Sequence, residues 1–573
     1  MFFPKLKTLR QSRVTINDFL GLDRREKAPQ NSFNDMANMS SDGFPALQTR
    51  PRRGKVLLLQ RGNGLIQKDT LIWVDGSTLY VGGSATGLVL TDSPKQLVSM
   101  GAYLVIFPDK KWINTRDLSQ FGSLENERVT EGTVSFAMCS ADGESIGSYL
   151  TAQQPPEEAQ QGALWMDTSE ETAVLRRYSE AEGWSTVADT CVKISAAGIG
   201  IGFAAGDGVT VKGCQMPELN GSAVLLQAER DALVVSGIVA GDRTQTAAVT
   251  VTRSVPDMDF VTECGNRLWG CKYGMVNGKA VNEIYGSKLG DFKNWNCFQG
   301  LSTDSYAASR GSDGVFTAAA SYLGSVLFFK ERCIERLYIN AGGAHQLVTL
   351  ECAGVQQGSH KSVQTVDGTL FYLGCGGVYA FDGSLPVMVS QALGDGELRY
   401  GVAGALGKKY YLSSVDGGGD GQLLVYDSGA KLWHKEDALR VKDFASRSDE
   451  LFCLAADGRI LALRGSEGTQ EQQLPWFVES GELGIDTAQQ KYLVRLSIRL
   501  QMAQGGRVQA WVSYDGGKSW QQQGTLTGDG RLRGALLHLR PRRCDHFRWR
   551  LQGEGECTVG SVSLVYEKGS DEV

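Results

Sequence analysis

The feature that most limits what this chain can become is a recurring short apolar run opened by a turn residue. It is seen in GAYLVIF (Gly101–Phe107), NRLWGC (Asn266–Cys271), GSVLFFK (Gly324–Lys330), DGTLFYLG (Asp367–Gly374), GKKYYLS (Gly407–Ser413) and DELFCLA (Asp449–Ala455). Each run holds four to six strand formers, too few for a helix and well suited to a buried strand bounded by tight turns. The later runs begin about 40 residues apart, the period of a four-stranded propeller blade. Between them lie second strands that end in D-G or D-S, such as GGVYAFDGS and QLLVYDSGAKLWHKED. Gly, at 71 of 573 residues, exceeds the usual share of about 7% and supplies the turns.

The expected class is all-β: a β-propeller with inserted small β modules and a C-terminal β-sandwich. An N-terminal arm covers 1–55, the propeller covers 56–125 and 256–475, the inserted modules 126–255 and the sandwich 476–573. The insertion is read from QQPPEEAQQGALWMDTSEETAVLRRYSEAEGWSTV and ISAAGIGIGFAAGDGVTVKGC, which break the blade period; an irregular pair of blades is the other reading. After about residue 475 longer alternating strands appear, KYLVRLSIRLQM, GRVQAWVSYD and HFRWRLQG. One apolar face per strand fits a sandwich of roughly 100 residues.

The arm has little periodicity, yet Phe33, Met36, Met39, Phe44 and Leu47 stand among its polar residues. That is more apolar surface than a free tail carries. It is expected to be an assembly strap, with Arg50, Arg52 and Arg53 seating its end on acidic groups of the propeller or of a neighbouring subunit.

Charge excludes some classes of function. The 58 basic and 64 acidic side chains leave a net charge of -6, against a chain-wide role on nucleic acid or membrane. The N-terminus has no uninterrupted apolar stretch of the signal-peptide kind, and no window approaches the roughly 18 apolar residues of a membrane span. The 12 cysteines include no C-x-x-C and read as small buried thiols made in a reducing cytosol. The exception in this acidic chain is RLRGALLHLRPRRCDHFRWR. In it Phe547, Trp549 and Leu551 alternate with Arg548 and Arg550 on a strand, and with Arg542 and Arg543 the arginines form either a solvated face or a docking surface for an acidic partner or DNA.

Three motifs suggest chemistry. Ser513, Asp515, Gly517 and Trp520 in SYDGGKSW fit S-x-D-x-G-x-x-W, the Asp-box hairpin of sialidases and related glycosidases. Its carboxylate holds turn amides, its glycine takes positive φ and its Trp packs under the hairpin, so the box fixes a turn and does no chemistry. GESIG (Gly143–Gly147) matches a nucleophile elbow, but SFAMCSAD before it reads as a poor strand and Pro155 and Pro156 cut short any helix after it. GIGIGFAAGDG lacks the Lys-Ser/Thr of a phosphate loop. His345, His360, His434, His538 and His546 have no metal-ligand spacing. No catalytic set, metal site or cofactor is read, and the chain is expected not to be an enzyme.

The arm FNDMANMSSDGFPALQTRPRRG, together with FVTECGNRLWGCKYG, VNEIYGSKLGDFKNWNCFQG, VLFFKERCIERLY and LLVYDSGAKLWHKED, resembles virion proteins of tailed phages and prophages of Gram-positive anaerobes. These are similar in architecture to propeller-built tail-hub and DNA-stabilisation proteins, and GALWMDTSEETAVLRRYSEAEGWSTV is similar to small W-x-D-T modules of tail proteins. The resemblance implies a structural virion component at the tail or head-to-tail region, made in the host cytoplasm. Its partners would be a homo-oligomeric ring and other tail or portal proteins, with DNA contact left open and no membrane. The rival reading is a tail-borne glycan-binding protein or glycosidase, supported by the Asp-box, the 11 tryptophans and the sandwich.

Overall fold

The computed structural model describes residues 11–569 apart from 171, 341, 343, 486–488 and 541; residues 1–10 of the expected arm lie outside the described residues. The described chain is all-β, with many small antiparallel sheets and three single-turn 3-10 segments.

Each recurring apolar run forms the second strand of a small sheet: Tyr103–Phe107, Leu268–Val276, Ser325–Phe329, Thr369–Gly374, Lys409–Asp416 and Leu451–Ala455. A strand with neighbours on both edges and cover on both faces has no polar side to show, so its sequence is nearly continuous in apolar residues. Turn chemistry sets the register. Between Gln364–Val366 and Thr369–Gly374 the loop is only Asp367-Gly368, with φ of 49° and 79°, the doubly left-handed turn whose twist suits a hairpin.

The chain divides into two compact units, and the division runs differently from the boundaries drawn on the sequence. The first comprises Met1–Lys95, Phe328–Glu335 and Thr349–Val573. In it the sheet of Val441–Ser446, Leu451–Ala455 and Arg459–Ala462 is extended by Gly54–Leu58, a strand from the other end of the sequence. Leu59 and Leu65 pack against Phe452, Leu454 and Ile460 of this sheet, and its Val441, Leu451 and Cys453 pack against Tyr411 and Val425.

The same unit holds two sheets made chiefly by the C-terminal residues. One runs Met39–Ser40, Leu47–Thr49, Cys557–Lys568, Lys491–Met502, Leu532–His538, with Gln11–Ile16 also paired to Cys557–Lys568. The other runs Phe33–Ala37, Pro475–Ser480, Arg548–Glu554, Arg507–Ser513, Gln521–Thr527. Their buried faces share one apolar core that includes Ile498, Leu500, Val512, Trp549 and Leu551.

These pairings seat the described part of the arm on its own chain, one of the two surfaces expected for it, and bury it more deeply than a strap requires. Phe33, Met36, Met39 and Leu47 are at most 5% exposed inside this core, and Phe33 meets Trp549 edge-on at 5.8 Å. Only Phe44, 43% exposed, stays outside. The arm shows no periodicity because its apolar residues are shared among short strands in two different sheets. Its arginines also find acids within the chain. Arg53 binds Glu436 at 2.7 Å and Asp437 at 2.6 Å, Arg50 binds Glu471 at 2.8 Å, and Arg52 donates to the Glu471 and Gln472 carbonyls.

The second unit comprises Gln96–Leu327 and Arg336–Val348. It contains four-stranded sheets at 96–123 and 260–309, an eight-stranded sheet drawn from 126–253, and a small sheet of Leu150–Ala152, Leu164–Asp167, Val174–Ser179 and Gly183–Thr186. SFAMCSAD, read as a poor strand, forms Val134–Cys139. Phe136 and Met138 fill the core of the large sheet, and burial outweighs the weak local propensity.

Candidate functional site

The Asp-box closes the hairpin between Arg507–Ser513 and Gln521–Thr527. Asp515 accepts the Ser519 amide at 2.9 Å, the Ser513 hydroxyl at 2.8 Å and the Ser519 hydroxyl, while the Gly517 amide donates to Ser513 Oγ at 2.9 Å. Gly516 and Gly517 have φ of 71° and 91°. The Ser519 hydroxyl, the Ser519 amide and the Ser513 hydroxyl hold the Asp515 carboxyl down at about 2. A carboxyl with a depressed folded pKa stabilises above the unfolded value, near 4, and loses that contribution as pH falls through the folded value. Protection of the Ser519 amide in hydrogen exchange is therefore expected to persist at pH 5 and to decline between about pH 4 and pH 2. Asp515→Ala is expected to remove it at every pH; an unchanged exchange rate in the variant would show that the carboxylate does not hold the turn.

Trp520 is half-buried with the Arg550 guanidinium 4.1 Å from its ring centroid. Arg550 in turn binds Glu479 at 2.6 Å, and Arg548 reaches the same carboxylate at 3.4 Å. The expected basic surface is thus corrected in part: one carboxylate about 70 residues upstream binds two of its four arginines and offsets one of their charges. Arg542 lies over the Tyr514 ring at 5.7 Å, and Arg543 is exposed.

Strand alternation turns Phe477 and Glu479, Arg550, Gln552 and Glu554, and Arg507, Gln509 and Trp511 to the outer face of this five-stranded sheet. Register places Gln552 beside both Phe477 and Gln509, and Arg507 beside Glu554. Gln552 Nε2 donates to Gln509 Oε1 at 3.0 Å. At this end a cavity of about 500 Å3 is lined by Ala37, Asn38, Phe477, Arg507, Gln509, Gln552 and Glu554, among others. Such a volume lies within the ~300–1,000 Å3 of small-ligand sites. It is roughly 20 Å along the strand from the Asp-box, so the box fixes the frame of this face and does not reach the cavity.

Sequence reasoning placed the Asp-box and the arginines but missed Phe477, Gln509 and Gln552. The available signal was the outward half of the alternation in GRVQAWVSYD and HFRWRLQG. A larger cavity, about 900 Å3, is lined by Arg24, Arg25, Cys375, Asp395, Glu397 and Arg399, among others. Its arginines are bound to carboxylates, Arg25 to Asp23 and Arg399 to Glu397 at 2.5 Å and Arg24 to Asp35 at 3.5 Å, and no aromatic ring lines it. Among the described residues, His, Cys, Asp and Glu form no group of three that could hold a metal, and no helix is long and apolar enough to cross a membrane.

No family model matches the chain, and no curated protein does. Solved structures similar to it include the exo-β-1,3-galactanase of Phanerochaete chrysosporium, at 10% identity and TM-score 0.23 over 53% of this chain and 94% of that one. Another is PorZ, a surface component of the type-IX secretion system of Porphyromonas gingivalis, at 8% identity and TM-score 0.26 over 88% and 87%. A third is the endosialidase of phage phi92, at 10% identity and TM-score 0.21 over 82% and 64%. The expectation that the chain is not an enzyme is corrected and no longer held.

Proposed function

We propose that the chain is a glycan-binding component of a tailed-phage particle. In this reading the four-stranded sheets of 56–125 and 256–475 are blades of a β-propeller, 126–255 carries inserted β modules, and the two C-terminal sheets form a sandwich with the binding face on its outside. The observation that carries the reading is the cavity at Phe477, Gln509 and Gln552. A sugar presents an apolar C–H face and adjacent hydroxyl groups; an aromatic ring suits the first, and a side-chain amide, with donor and acceptor side by side, suits the second. The hydrogen bond between the two glutamines leaves Gln552 Oε1 to accept and Gln509 Nε2 to donate. Arg507 and Glu554 add one charge of each sign at the rim. Placement on a particle, with other virion proteins as partners, rests on the resemblance of the arm and blade segments to phage virion proteins.

A glycan array that includes cell-wall polysaccharides of Gram-positive anaerobes tests the binding face. Phe477→Ala and Gln552→Ala are each expected to weaken retention about 5- to 30-fold, the loss of roughly 1–2 kcal/mol of contact, with melting little changed. A wild-type protein retained by no glycan would overturn the reading. Mass spectrometry of purified particles tests the location, and absence of the chain from them would remove that half of the proposal. Reducing-sugar release from any retained glycan decides whether the bound sugar is also cleaved.

A further inference from the structure

Strands Val134–Cys139 and Cys191–Ser195 run antiparallel, and Cys139 stands directly opposite Cys191. Opposed residues on such strands project to one face with Cβ atoms about 4.5–5.5 Å apart. A disulfide takes about 3.5–4.5 Å, so a shift of about an ångström brings the two sulfurs within bonding reach. Each cysteine is 4% exposed, and with Val234 they form a small apolar cluster of their own. The neighbouring strand residues Met138, Val192 and Ile194 belong instead to the main core of the sheet.

The GESIG segment lies at this pair. Its turn is fixed by the Ser140 amide on the Glu144 carbonyl at 2.9 Å and the Gly143 amide on the Ser140 carbonyl at 2.9 Å. Lys193 Nζ, from the strand of Cys191, donates to the Gly143 carbonyl at 3.3 Å. A Cβ on Gly143 would stand 3.3 Å from Val234 of the thiol cluster. Between the two cysteines the chain leaves the large sheet, builds the small sheet of residues 150–186 and returns. The pair therefore marks the neck of that excursion.

We propose that Cys139 and Cys191 are a redox-active dithiol that closes to a cross-strand disulfide and staples the neck of the 150–186 module. The oxidant is a low-molecular-weight disulfide of the glutathione class. One thiolate attacks it, forming a mixed disulfide and releasing one reduced glutathione. The second thiolate attacks the protein sulfur of that intermediate and releases the other glutathione, so two protein thiols are oxidised and one glutathione disulfide is reduced. The thiol protons pass to the departing thiolates. Burial, reinforced by Cys191, pushes the Cys139 thiol up to about 11, so closure quickens with pH, by roughly tenfold per unit across the neutral range.

The test is oxidation of the folded full chain with glutathione disulfide, alkylation of remaining thiols and peptide mapping without reduction. The expected product is one peptide pair joined through Cys139 and Cys191, opened by dithiothreitol, with the exposed Cys375 as a singly glutathionylated control. Proteolysis within 150–186 should then leave fragments joined until reduction, and Cys191→Ser should lose the linked pair. Recovery of Cys139 and Cys191 as free thiols, or as two separate glutathione adducts, while Cys375 is modified would overturn the proposal. Should Cys191→Ser fail to fold, the wild-type map alone decides.

Discussion

Removal of residues 1–53 is expected to leave a chain whose C-terminal sheets do not fold cooperatively. The deletion takes Phe33, Met36, Met39 and Leu47 out of the core that these sheets share. Each side chain of this kind contributes about 1.5–3 kcal/mol when buried, or roughly 6–12 kcal/mol for the four, which is comparable to the whole stability of a domain. It also removes the partner strand of Pro475–Ser480 and those beside Cys557–Lys568, leaving open edges that pair with other chains. The expected outcome is aggregation on expression, or loss of the corresponding calorimetric transition. A soluble truncated protein that keeps full hydrogen-exchange protection in Arg548–Glu554 would show that the N-terminal strands are dispensable.

Glu436→Ala should be among the most damaging single substitutions. Arg53 is 2% exposed, and its guanidinium spans Glu436 and Asp437. Burial opposes its charge, but the two carboxylates more than offset this and keep it firmly protonated. Removing Glu436 leaves Arg53 on Asp437 alone and strips the other guanidinium nitrogen of its buried acceptor, at a cost approaching the about 3–5 kcal/mol of breaking a buried pair. Arg52, 25% exposed on its side chain and donating to two carbonyls, should lose only about 1 kcal/mol on change to Ala. Denaturant unfolding of the two variants side by side checks this, and equal losses would mean that the buried network does not behave as a unit. The network is also expected to weaken in acid. Burial raises the Asp437 carboxyl, but the charge and hydrogen bond of Arg53 outweigh it, and the net shift is downward. Its contribution is present above the unfolded carboxylate range and is lost as pH falls below about 4.

What could be read in advance depended on whether a signal was local. Within DELFCLA, Leu451–Ala455 is an inner strand whose neighbours and cover make every position apolar, so five residues after a polar turn suffice to recognise it. Phe547, Trp549 and Leu551 alternate with Arg548 and Arg550 for an equally local reason, and the structure buries the first three. The acid that binds both of those arginines is Glu479, on a strand brought alongside only by the sheet, and no spacing rule reaches it. The same limit hid the fate of the arm: Met36 is read correctly only once Val478 is known to stand opposite it. The cavity was hidden for a further reason. Gln509 and Gln552 are ordinary outward residues of two separate strands, and only register makes them neighbours.

The contact between Phe33 and Trp549 also sets a timetable. A ribosome adds about 5–20 residues per second, so roughly half a minute to two minutes pass between the two residues during synthesis. For most of that interval Phe33, Met36 and Met39 lack the C-terminal strands that bury them, and Phe33 has only near neighbours such as Phe19, stacked at 5.9 Å, for native partners. The nascent chain must carry an apolar segment unprotected for longer than most domains take to fold. Holding that segment soluble, by a chaperone or by provisional non-native contacts, is part of what the cell that makes the chain has to supply before the first finished copy exists.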